Sequence, residues 1–152
     1  MNPKRLSNKV IFRFDDGPGY FPVESTLTIY DRQNRNVSFN EKYNLVPFKK
    51  KAFWTLPQKD IERIKKLIRD TKYLFTDMPL EESDQIVLDG SDNQFFFRSQ
   101  EKTAYIHESN FVLTYSEMPA DTKAGEIVDL INGIYEILKE NGIDLKEDDE
   151  DD

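Results

Sequence analysis

The 152-residue chain has no cysteine and a single histidine, His107. The first absence excludes disulfides, thiol nucleophiles and zinc–thiolate centres, and it suits a reducing compartment. The second removes the imidazole clusters on which catalytic zinc sites depend. No apolar run approaches the ~20 residues needed to span a bilayer. The opening stretch MNPKRLSNKVIFRF lacks the apolar core and small-residue cleavage site of a secretory signal. Glycine-rich phosphate loops and dinucleotide fingerprints are also missing. Together these absences predict a cytoplasmic protein with no membrane segment, no metal and no cofactor.

What is present is charge, unevenly placed. The net charge is −8, which weighs against nucleic acid or an anionic membrane as the general partner. Yet nine basic residues stand against three acidic ones between Lys49 and Lys72, giving this segment +6 and leaving −14 elsewhere. The closing run KEDDEDD is almost purely acidic. Such a run cannot pack, so one α+β domain is expected over residues 1–143, followed by a disordered acidic tail over 144–152.

Hydrophobic periodicity gives the expected elements. Val10, Phe12 and Phe14 alternate with Ile11 and Arg13, Leu27 and Ile29 alternate with Thr26, Thr28 and Tyr30, and Val37 and Phe39 flank Ser38. Period-two patterns of this kind predict strands with one buried face, and Asp31 to Asn36 predicts a hairpin turn. The stretch around Pro47 and the lysine run reads as a loop. TLPQKDIERIKKLIRDTKYLF then predicts a helix opened by a Thr55–Gln58 capping box, with Pro57 in its first turn and Ile61, Ile64, Leu67, Ile68, Leu74 and Phe75 as its apolar stripe. QIVLD, QFFFRS, TAYIH and FVLTY read as further strands, with a turn at GSDN. Ile127, Leu130, Ile131, Ile134, Ile137 and Leu138 predict a second helix from about Asp121 to Asn141. Short hairpin links favour an antiparallel sheet of six to seven strands with both amphipathic helices on one face. The unbroken runs FFF and FVL imply strands buried on both faces or carrying aromatic side chains outward.

The stretch FRFDDGPGYFP (Phe12 to Pro22) resembles the TFDDGP signature of the polysaccharide deacetylases. The resemblance implies Asp15 as general base and Asp16 as ligand of a divalent metal shared with two histidines. A chain with one histidine cannot complete that set, and the later Asp–Trp motif is absent, the only tryptophan being Trp54 in AFWTLP. Asp, Gly and Pro together therefore predict a turn at DDGPGY. His107, Glu108 and Ser109 are the residue types of a hydrolytic triad, but neighbours on an extended segment point to opposite faces. Asp89, Asp92 and Asn93 lack the spacing of a calcium loop and read as part of a hairpin turn.

The most specific surface feature is the segment that carries Lys49, Lys50, Lys51, Trp54, Lys59, Arg63, Lys66 and Arg69. Tryptophan and arginine are the residue types that most often anchor interfaces. The alternative is a tryptophan stapled to the core beside an ordinary solvated helix face, partly neutralised by Glu62 to Lys66 at i, i+4. Three functions fit these residues. The first is a non-enzymatic protein-binding module, of the kind found among small bacterial inhibitors and immunity proteins, as a monomer or weak homodimer. The second is an anion or nucleic-acid binder using residues 49–72, against the overall charge. The third is a small hydrolase built on Asp15, Asp16 and His107.

Overall fold

A computed structural model of the chain describes residues 1–17, 22–83 and 91–145. Six strands form one antiparallel sheet: β1 (Val10–Asp16), β2 (Val23–Tyr30), β3 (Val37–Tyr43), β4 (Phe48–Trp54), β5 (Asp92–Ser99) and β6 (Lys102–Ser109). Their order is β4-β3-β2-β1-β5-β6, so β4 and β6 are the edges. Helices α1 (Gln58–Arg69), α2 (Phe111–Thr114) and α3 (Lys123–Glu140) complete the fold, an α+β class in which the two long amphipathic helices pack on one face.

The alternation expected in the first three strands is the one that builds the core. Phe12, Leu27, Ile29, Val37, Phe95, Phe97 and Ile106 share the helix-facing side with the stripes Ile61, Ile64, Ile68 and Ile127, Ile131, Ile134. Phe14 stacks on Phe95 with centroids 4.3 Å apart, and Phe111 meets Phe95 edge-on at 5.7 Å. A bulge between Val10 and Phe12 shifts the β1–β2 register, so both Ile11 and Phe12 enter the core. The FFF run does bury both faces. Phe96 points away from the helices yet is only 1% exposed, lying beneath Arg98, whose guanidinium sits 5.1 Å from its ring.

Four local expectations are corrected. The lysine run is no loop: Phe48–Trp54 pairs along its whole length with β3. The single hydrogen-bond ladder to β3 outweighs a sequence with little apolar alternation, because an edge strand can keep lysines in water on either side. The capping box does not form. Thr55 Oγ1 instead accepts from the Arg35 amide at 2.9 Å, and α1 begins after Pro57 with no side-chain cap. Its C-cap is Asp70, so Leu74 and Phe75 join the core from beyond the helix, while Leu67 is left exposed. FVLTY is helical rather than extended, because Asn110 turns through a left-handed conformation (φ 46°) and redirects the chain. QIVLD, read as a strand, lies outside the described residues, as do residues 146–152 of the acidic tail. Ile143 is buried and Leu145 packs on the core just before them.

Two polar clamps hold the layers in place. Buried Asn36 donates through Nδ2 to the carbonyls of Arg32 and Leu56 and accepts from the Leu56 amide at 2.7 Å, tying the β2–β3 turn to the entrance of α1. Glu81 accepts from the amides of Lys123 and Ala124 while Thr122 accepts from Gly125, so two side chains satisfy the first turn of α3.

Candidate protein-binding surface

The register of the β3–β4 hairpin fixes where its lysines stand. Lys42 pairs with Lys49 and Asn40 with Lys51, and these residues share the outer sheet face with Ser38 and Phe53. Lys50 stands opposite Glu41 on the other face. A like-charged pair directly across a ladder is unfavourable. None of Lys42, Lys49, Lys50 and Lys51 makes an ion pair among the described residues, although Glu24 and Glu41 occupy neighbouring register positions. At the tip, Asn44 donates its amide to the Pro22 carbonyl at 2.9 Å, which holds the turn against the start of β2. Beyond it Leu45 is 81% exposed and Val46 53% exposed. With Pro47 they border a shallow hollow of about 300 Å³ flanked by Lys42 and Lys49.

The other basic residues lie elsewhere. Trp54 pairs with Val37 and packs, partly buried, on the core. On α1, Arg63 bridges Asp60 at 2.9 Å and Glu140 at 2.8 Å, and Arg69 pairs with Asp70 at 3.0 Å. Glu140 and Asp60 together hold the Arg63 guanidinium firmly protonated. Its hydrogen bond, aided by Asn141, keeps the buried Asp60 carboxyl below the usual aspartate range. Lys65 is already shared by Asp31 and Glu62. Only Lys59 and Lys66 of the α1 cations lack an ion pair among the described residues. The segment's charges are thus divided between the hairpin and the helix layer, and on the helix layer most are compensated. Between α1 and α3 runs an open groove of about 680 Å³, floored by Leu67, Leu130, Gly133 and Ile137 and closed at one end by the Arg63–Glu140 bridge.

The residues suggestive of catalysis do not converge. Asp15 and Asp16 belong to β1 rather than to a turn, and as consecutive strand residues they face opposite sides. Asp15 takes a bidentate bond from Arg13 on the outer face. Asp16 faces the helices and accepts from Asn93 at 3.0 Å. The two carboxylates cannot ligate one ion, and no group of three His, Cys, Asp or Glu side chains among the described residues could hold a metal. His107 Nε2 lies 2.6 Å from Asp92 on the outer face, and both side chains are about half exposed at 51% and 47%. Glu108 points the other way and accepts from Tyr115. Asp92 and Asn93 are strand residues on opposite faces, Asn93 also accepting the Phe111 amide at 2.9 Å. Asp89 lies outside the described residues.

Burial raises the Asp16 carboxyl above its ordinary value, against the lowering effect of Ser91 and Asn93. The same burial, with the Asp16 charge nearby, pushes the Tyr135 hydroxyl up. A carboxylate whose folded-state pKa is raised costs stability as pH climbs from the unfolded value, 3.8, through the folded one. Asp16→Asn is therefore expected to raise the melting temperature at pH 7, with the gain fading below about pH 4. Thermal melts across that range check the sign, and a loss at pH 7 would make the charge a stabilising one.

The chain matches no protein-family model, and no curated protein is significantly similar to it. No helix among the described residues is long and apolar enough to cross a membrane. Sequence reasoning missed Leu45, Val46 and Lys42 as surface residues. Their signal was available in Asn44 to Pro47, four residues with turn-forming ends between two stretches that pair.

Proposed function

We propose that the chain is a non-enzymatic protein-binding module that engages its partner through the β3–β4 hairpin. The observation that carries this reading is the tip itself: two large aliphatic side chains held out in water, between the lysines Lys42 and Lys49, which make no ion pair among the described residues. Exposed aliphatic groups rimmed by charge mark interaction sites more often than catalytic ones. A projecting apolar tip is the shape that fills a pocket on a larger protein, as small inhibitors and immunity-type proteins do. The chain then acts as a monomer or weak homodimer in the cytoplasm, and its catalytic-looking residues serve the sheet.

A second reading has one observation behind it. A hollow of about 440 Å³ is lined by Lys65, Lys66, Arg69 and Arg98 against Asp31 and Glu62. An anion there would meet Lys65 and Arg69 already in ion pairs and an Arg98 guanidinium already donating to the Ser7 and Val10 carbonyls, beside two carboxylates that line the same hollow, which ranks this site below the hairpin.

A photo-crosslinking amino acid placed at Leu45, and separately at Leu113 on the far side of β6, tests the proposal in the native host. Leu113 is 60% exposed and serves as the control. The expected result is a discrete adduct from position 45 that is missing from position 113 and lost on Lys49→Glu/Lys51→Glu substitution. Identical adduct patterns from the two positions, or none, would overturn the hairpin as the binding surface.

A further inference from the structure

We propose that the partner supplies an extended acidic segment that adds to the open edge of β4 as a seventh strand. The inference rests on the hairpin reading above and names the chemistry the hairpin selects. β4 bonds to β3 on one side only, and none of its backbone groups bonds elsewhere among the described residues. Alternate amides and carbonyls of such a strand face outward without ladder partners, the template on which extended peptides dock.

The lysines decide which peptide. Lys49 and Lys51 stand on one face of the sheet and Lys50 on the other. A strand laid beside β4 brings its own alternating side chains next to each of them, so carboxylates on either face find a cation. A second copy of this chain is a poor occupant, because pairing β4 with another β4 sets lysine against lysine. A planar anionic membrane is poor too, since it meets one face of the edge and leaves Lys50 unused. An acidic strand meets both. The lysines that reject unwanted edges thus admit one class of strand, which is specificity by charge. Leu45 and Val46 then add apolar contact where the partner continues past the turn.

The test uses the full chain and a fluorescent peptide of about ten residues with a Glu-Glu-Val repeat, which sets carboxylates on both faces of an extended strand and is long enough to cover β4. Two versions carry backbone N-methyl groups on alternate residues, one for each edge of the peptide, keeping the charge but removing one row of donors. Binding is read by fluorescence anisotropy at low salt, and vesicles of phosphatidylserine are run in parallel. The parent peptide should bind at least about tenfold more tightly than one of the methylated versions, and Lys49→Glu/Lys51→Glu should weaken it by about tenfold with an unchanged melting temperature. Where that variant melts early, Lys49→Gln/Lys51→Gln replaces it. Equal binding of all three peptides would reduce the edge to a charge patch and overturn strand addition. Absence of peptide binding, or binding to vesicles alone, would overturn it as well. A retained adduct at position 45 beside a failed peptide assay would separate loss of this inference from loss of the hairpin reading.

Discussion

Alanine at position 125 will destabilise the protein by about 3 kcal/mol, although glycine-to-alanine changes inside helices ordinarily stabilise by about 0.5–1 kcal/mol. A Cβ on Gly125 would run into the carbonyl oxygen of Pro119, with the Pro119 carbonyl carbon at 2.8 Å and the Met118 oxygen at 2.9 Å. All three are backbone atoms and cannot swing aside. The first turn of α3 is pinned in that position by Thr122 and Glu81, so relief of the clash means breaking those caps. Gly133→Ala is the internal control. There the new methyl meets only Leu67 Cδ1 at 3.2 Å, the far end of a flexible side chain, and helix propensity offsets the contact. Urea denaturation of the two variants should place Gly125→Ala well below the parent and Gly133→Ala close to it. Coincident curves for all three proteins would show that α3 does not approach the Met118–Pro119 backbone in solution.

Phe95→Ala should cost about 3–5 kcal/mol, a large share of the 5–15 kcal/mol that holds a typical domain together. Phe95 is fully buried between the sheet and the helices. Its ring stacks on Phe14, faces Phe12 and Phe97 at 6.3 Å each and meets Phe111 of α2 edge-on. Neighbours from three separate elements cannot all move inward together, so truncation leaves a cavity instead of a collapsed site. Leu113→Ala, on an exposed side chain of the same short helix, should change stability by no more than about 0.5 kcal/mol. Thermal or chemical melts compare the two directly. A cost for Phe95→Ala as small as that of Leu113→Ala would mean that the core-facing side of β5 has been assigned wrongly.

Much of this fold was legible before any coordinates. Ile61, Ile64 and Ile68, and Ile127, Ile131 and Ile134, recur at helical spacing, and every one of them is buried. The alternation in Phe12 to Phe14 and Leu27 to Ile29 marked the core face of the sheet, because a strand's side chains change sides at every residue whatever the strand pairs with. The site was less legible. Lysines 49 to 51 carry no period, so their place on a strand depended on β3 lying alongside to supply a ladder. Phe111 to Tyr115 has the composition of a strand, and only the reversal at Asn110, with Phe111 packed on Phe95, turned it into a helix.

The sequence by itself therefore determined the α+β class, the two amphipathic helices, the unequal distribution of charge and the want of a metal-binding histidine set. Tertiary structure alone decided which cations are spent and which are free. Arg63 finds Glu140 from 77 positions away, and Lys65 finds Asp31 just past the end of β2. Lys42 and Lys49, by contrast, are brought side by side across the β3–β4 ladder and make no ion pair among the described residues. Periodicity reports local geometry because it repeats with the turn of the helix or the pleat of the strand. Charge compensation and exposure depend on distances between residues remote in sequence, and those exist only once the chain has folded.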